Sequence, residues 1–345
     1  MYRAFFGLRE RPFDLTTNPR FLFLSKGHRE ALSLLHYGIA GDKGITLLLG
    51  EAGTGKTTVL RAACQQHTEP AIQSLHLLHS GVTRDELHDF IAFELRLPDP
   101  AGSRVASIRR LYQALHERRA GGRITALVID EAHLIPDDLF EEIRMLANLE
   151  SPAGKLLAVV LTGQVELAQR LNEPALRPFK QRIALRTTLP PLSLQDTAGY
   201  IASRVRTAGG SAAELFTSAA VEGIHRGSRG IARTISVICD NTLVAAFAKG
   251  QRQVTDALVS EVCADLDFDM GPVLPAGHVL APVHVPAPDS TVAAPGETPQ
   301  VALLGRPLNP LTAARPLEVS IVPAAVTDAT SEAASSHGRL FAVPK

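Results

Sequence analysis

Cysteine is scarce. Three residues, Cys64, Cys239 and Cys263, occur in 345, at no metal-ligand spacing. An odd thiol count excludes a fully paired disulfide scaffold and suits a reducing cytosol. Net charge is absent too, with 35 basic residues balanced by 35 acidic ones, so no global field draws the chain onto nucleic acid or anionic lipid. A local basic patch stays open. No run approaches the roughly 18–20 apolar residues needed to cross a bilayer. The apolar start, Met1 to Gly7, is too short for a secretory signal and is followed by Arg9-Glu10-Arg11. The expectation is a cytoplasmic protein with no transmembrane span, peripheral at the inner membrane only through a partner.

Residues 50–57, Gly50-Glu51-Ala52-Gly53-Thr54-Gly55-Lys56-Thr57, match G-x-x-x-x-G-K-[ST] in full. They lie between an apolar run, Ile45 to Leu49, and a helix-forming stretch opening at Thr58, which is the strand, loop and helix context of a phosphate cradle. Glycines let successive N–H groups turn inward, and the start of the helix adds a fixed positive partial charge. On this reading residues 50–58 bind the phosphates of ATP, Lys56 reaches the β and γ oxygens, and Thr57 holds Mg²⁺.

Phosphoryl transfer also needs carboxylates at a neighbouring strand end. The run Ile124 to Ile129 is apolar but for Thr125 and ends in Asp130-Glu131, so Asp130 is expected to hold Mg²⁺ and Glu131 to polarise the attacking water. Adjacent carboxylates at a buried strand end are costly without a cation. Asp130-Glu131-Ala132-His133 also spells a helicase box, but the second recombinase-like domain of such enzymes has no counterpart after residue 190. At the end of a fourth strand, Leu156 to Leu161, either Thr162 or Gln164 is placed to sense the γ-phosphate, with Thr162 as a helix cap the competing reading. Arg177, Lys180 and Arg182 precede a fifth strand, where an arginine can reach a neighbouring subunit's site, and Arg233 opens a later helix from which it can fold over the nucleotide.

Strands alternating with helices predict a parallel α/β P-loop sheet over residues 25–190, preceded by an aromatic segment, 1–24, that packs on the core. After Pro190-Pro191 four helical patterns, 193–208, 211–225, 231–249 and 254–266, make an all-helical lid over 191–268. Ser211 with Glu214 reads as a capping box opening the second of them. Residues 269–345 carry 12 of the 23 prolines among small residues and read as a disordered tail.

With these pieces the chain resembles AAA+ ATPases, and more closely the ATPase region of the general secretion pathway protein A (ExeA/GspA) group. The resemblance rests on Tyr2-Arg3-Ala4-Phe5-Phe6-Gly7-Leu8, Pro12-Phe13, Pro19-Arg20-Phe21-Leu22, Ser25 with His28-Arg29-Glu30-Ala31-Leu32, Tyr37-Gly38-Ile39, the phosphate loop, Asp130 to His133, Gln181-Arg182-Ile183 and Gly230-Ile231-Ala232-Arg233, and it covers residues 1 to about 266. It implies Walker A roles for Lys56 and Thr57, Walker B roles for Asp130 and Glu131, an arginine finger at Arg182 and a sensor 2 arginine at Arg233. Ala232 stands where that pattern usually has proline. The group carries a transmembrane helix and a peptidoglycan-binding region after the ATPase, with no matching pattern in this sequence.

The implied activity is ATP hydrolysis by a homo-oligomeric switch that assembles or remodels a secretion or envelope partner. Two alternatives stay open. One is a DNA-associated ATPase of the transposition-helper kind (TniB or IstB), using Arg104, Arg109, Arg110, Arg118, Arg119 and Arg123 as a basic strip. The other is a nucleotide-gated scaffold with little turnover.

Overall fold

The computed structural model describes residues 2–15, 18–65, 72–77, 81–98 and 104–270, so the expected tail lies outside the described residues from 271 onward. Five parallel strands, β1 (Ile45–Gly50), β2 (Ile72–Leu77), β3 (Ile124–Ile129), β4 (Ala158–Gly163) and β5 (Ile183–Leu189), form one sheet in the order β2-β3-β4-β1-β5. The three inner strands are buried at every position, as continuous apolar runs covered on both faces require. β5, at an edge, alternates instead between partly buried and exposed positions. Pairing of Leu49 with Gly163 and of Ile129 with Leu161 brings the carboxyl ends of β1, β3 and β4 to one rim, where ligands of such sheets bind.

Helices α1 (Lys26–Ala40), α2 (Lys56–Gln65), α3 (Arg84–Glu94), α4 (Arg104–Ala120), α5 (Asp137–Ala147) and α6 (Val165–Arg170) cover the sheet. Strand alternation sorts the core into two layers. Leu47, Leu49, Leu127, Ile129 and Leu161 join Phe140 and Ile143 of α5, while Leu48, Ala126, Val128 and Val160 join Leu35, Ile39, Val59 and Leu60 of α1 and α2. α1 is capped by Ser25, whose hydroxyl accepts from the His28 N–H, and α3 by a complete capping box between Thr83 and Glu86. The fourth strand opens two residues later than its apolar run, because Leu156 N–H bonds back to Leu149 O and the preceding chain forms a short hairpin, Glu150–Ser151 against Gly154–Lys155.

After β5 the chain is helical: α7 (Leu194–Thr207), a single turn at Ala212–Leu215, α8 (Ser218–Ser228), α9 (Ala232–Ala248) and α10 (Asp256–Asp265). The helix expected over 211–225 is broken. Phe216 is extended and buried, bridges Val254, and meets the Phe13 ring edge-on at 6.0 Å. Ser211 therefore makes no cap bond, and Thr217 caps α8 instead by accepting from Ala220 N–H. Burial of one aromatic ring outweighs the few tenths of a kcal/mol per residue that helix propensity supplies.

The aromatic N-terminal segment packs on the lid's own core. Tyr2, Leu8, Phe13 and Phe21 are buried among Tyr200, Ile201, Val205 and Phe216. Arg9 N–H bonds Ala208 O at 2.8 Å, and the Arg204 guanidinium bonds the carbonyls of Pro12 and Asp14 while lying over the Phe21 and Tyr200 rings. The chain then enters α1 beside the exit of the sheet, where a Cβ on Gly27 would stand 3.3 Å from the Pro190 ring.

Candidate functional site

The loop after β1 returns on itself at Gly53 and Gly55, with φ of +82° and +103°, and both glycines are closely covered. A Cβ at Gly53 would stand 2.9 Å from Arg233 Cβ, and one at Gly55 would stand 2.9 Å from His28 Nε2. The sequence pattern demands glycine here for the turn; the structure adds close approach on the outer side. Within the loop, Thr54 Oγ1 donates to Glu51 O at 2.8 Å, and Lys56 Nζ donates to the Gly50 and Glu51 carbonyls at 2.9 and 3.0 Å. Lys56 is only 4% exposed. Burial pulls its pKa below the ordinary lysine value, and the carboxylates of Glu131, Asp130 and Glu166 act in the opposite sense. Ala52 lies within the turn and Thr58 in the first turn of α2.

Across the rim, Asp130 accepts from Thr57 Oγ1 at 2.6 Å, from the Glu131 backbone N–H at 2.9 Å and from the Thr162 hydroxyl. Thr162 thus lies inside β4, fully buried, and is not a helix cap; the residue at the cap position of α6 is Gln164, which makes no cap bond. Gln164 Nε2 instead lies 3.2 Å from His133 Nε2. With the amide donating, His133 carries its proton on Nδ1, which faces Glu131 Oε2 at 3.3 Å. That separation is within ion-pair range, but the line of approach is wrong for a hydrogen bond, and both atoms are buried without a hydrogen-bond partner. Glu131 itself is held at φ +52°, ψ 41°, a left-handed conformation that costs a non-glycine residue about 1–2 kcal/mol. Backbone strain and an unsatisfied carboxylate oxygen therefore fall on the same residue.

A nucleotide and a divalent cation fit these residues. A buried lysine with one N–H to spare faces two acids, a hydroxyl and a carboxylate that touch each other supply hard oxygen donors, and the glycine turn opens its amides to an anion. The lid closes the far side: Arg233 N–H donates to Gly53 O at 3.1 Å, and its exposed side chain crosses the loop with no ion pair among the described residues.

Arg182 does not join this group. Ile45 pairs with Ile183 and Gly50 with Leu189, so exposed Arg182 sits at the opposite end of the sheet, about 20 Å along the strands from its own loop. Lys180 bonds Asn172. Three of the six arginines of the strip have partners within the fold: Arg110 bonds Pro98 O, Arg118 bonds Thr125, and Arg119 bonds Asp42 and Ala153 O. One residue with no role expected from the phosphate motif, His28, donates toward Thr54 O from the first turn of α1; in the sequence it stood out only within the family resemblance, with no function attached.

Comparison with known proteins agrees with this geometry. A family model described as AAA domain matches residues 39–171. General secretion pathway protein A of Aeromonas hydrophila is 42% identical over 266 residues, which is 75% of this chain and 47% of that protein, so the chain spans about half the length of its curated relative. Among solved structures, the Aeropyrum pernix ORC2 protein in its ADPNP-ADP complexes superposes with a TM-score of 0.55 at 16% identity, covering 74% of this chain and 71% of that one. The A. pernix ORC1 protein in complex with DNA gives 0.54 at 18%, covering 75% and 70%. At those identities the structural matches show the fold alone. No helix among the described residues is long and apolar enough to cross a membrane.

Proposed function

We propose that this chain, which matches an AAA domain over residues 39–171 and is 42% identical over 266 residues to general secretion pathway protein A, is an AAA+ ATPase that binds and hydrolyses ATP as an oligomeric switch. The observation that carries this reading is the convergence of Lys56, Thr57, Asp130 and Glu131 on one rim under the Arg233 end of the lid. Lys56 exchanges its carbonyl contacts for phosphate oxygens, a stronger pairing because it joins opposite charges. Thr57 and Asp130 hold magnesium, which when bound offsets charge across the β and γ phosphates. Glu131 turns from His133 to take the proton of the attacking water, and Gln164, tied to His133, registers that movement. Arg233, joined to Gly53, carries the nucleotide state into the lid. Arg182, too far from its own site, acts on a neighbouring subunit.

The work done is assembly or remodelling of a secretion or envelope partner, supported by the 42% identity to a secretion-pathway protein. The DNA alternative is weakened at Arg119, which is paired with Asp42, whereas Arg110 and Arg118 bond neutral groups and keep their charge.

Turnover of Mg-ATP and equilibrium binding, measured on the parent, Lys56→Ala and Glu131→Gln, test the assignment. Lys56→Ala should weaken binding at least about 100-fold, and Glu131→Gln should bind normally yet turn over about 100-fold more slowly or less. Normal hydrolysis in both would sink the reading. A parent that binds tightly without turnover would convert it to a gated scaffold. The partner assignment fails if no secretion or envelope protein co-purifies with ATP-loaded Glu131→Gln above the level seen with Lys56→Ala.

A further inference from the structure

We propose that His28 is a positioning residue for the phosphate loop: its ring N–H holds the Thr54–Gly55 peptide in the one orientation that turns the Gly55 amide toward an anion. The inference rests on the nucleotide reading above and adds to it a residue outside the loop motif. His28 is 4% exposed, and both ring nitrogens are engaged, Nδ1 at 2.6 Å from Ser25 Oγ and Nε2 at 3.1 Å from the Thr54 carbonyl oxygen. A carbonyl can only accept, so Nε2 carries the proton. The neutral ring then leaves Nδ1 to accept from the Ser25 hydroxyl, whose oxygen accepts the His28 backbone N–H at 3.3 Å. Every polar atom of this relay is satisfied in that one tautomer, and burial favours the uncharged ring.

A trans peptide is planar, with its C=O and N–H pointing in opposite directions. Because His28 draws the Thr54 oxygen to the outer side of the loop, the Gly55 N–H faces the inner side, where the motif gathers its amides. The loop's own backbone does not enforce this. Gly55, at φ +103°, is free to accept the peptide turned over, and the oxygen would then point at the anion and repel it. The ring is seated against the peptide closely enough that even a methyl group on Gly55 would meet Nε2 at 2.9 Å.

Calorimetric titration of the full chain with Mg-ADP, and separately with Mg-pyrophosphate, tests this on two variants. His28→Phe keeps the ring volume and removes the N–H, while His28→Gln places an amide N–H within reach of the same carbonyl. The expected result is about tenfold weaker binding of both probes by His28→Phe, near-parent binding by His28→Gln, and melting temperatures close to the parent for each. Parent-like affinity in His28→Phe would overturn the proposal, and so would a His28→Gln as weak as His28→Phe. A loss confined to ADP would also overturn it, by placing the ring against the base. If the parent binds neither probe better than Lys56→Ala does, the nucleotide reading itself has failed, a result distinct from all of these.

Discussion

The sheet and the lid use aromatic and aliphatic side chains in contrasting ways. In the sheet, three consecutive leucines of β1, Leu47, Leu48 and Leu49, feed opposite layers, and each layer is closed by helices adjacent in sequence. In the lid, Phe13 from the start of the chain meets Phe216 near its middle, and Phe5 meets Phe247. The sheet is thus built from local strand–helix units, whereas the lid is incomplete until the first residues of the chain return to it. Damage to the N-terminal segment should fall on the lid and spare the phosphate loop's strand.

The most severe test of that contrast is Phe13→Ala. Removing a fully buried ring should cost about 3–5 kcal/mol, and hydrogen exchange should show α7 and α8 losing protection while β1 and β3 keep theirs. Equal loss in both regions would erase the distinction. Next comes Gly53→Ala, which forces a methyl group against Arg233 at a positive φ and should cost about 1–3 kcal/mol. Its ATP turnover should fall more than its melting temperature suggests, because the lid is pushed off the loop. Arg233→Ala sharpens the contrast from the other side: an exposed side chain without an ion pair should change stability by less than about 0.5 kcal/mol, while turnover drops about tenfold or more. The smallest effect is on pH. Burial holds His28, His76 and His225 below the ordinary histidine value, so the unfolded chain takes up protons first. Stability should be full above about pH 6.5 and decline as pH falls from there. A rise in melting temperature over that range would contradict the burial seen in both regions.

The difference between the two regions also explains what could be read in advance. β3 spans Ile124–Ile129, as its run of apolar residues around Thr125 predicts, because that run is bounded by Arg123 and Asp130. The Thr83–Glu86 capping box is likewise local, its two residues standing three apart. The break at Phe216 was not, because the ring that displaces the helix there belongs to Phe13, and no local window contains both. At the site, Lys56, Thr57, Asp130 and Glu131 carry their chemistry in contiguous motifs. The contacts of His28 to Thr54 and of Arg233 to Gly53 join residues far apart in sequence; the local pattern around Arg233 pointed to the nucleotide, but neither contact partner could be read from it. For Thr162 the local sequence left a sensor and a helix cap both open; the structure removes the cap, because the partner of its hydroxyl, Asp130, is on another strand.

The close approach of Gly27 to Pro190 has a mechanical meaning. Both connections between the two halves of the molecule, one arriving before α1 and the other leaving after β5, pass through the same narrow place. Any turn of the helices beyond them would therefore bend both connections at that one place, where the Pro190 ring leaves little room for a Cβ at position 27.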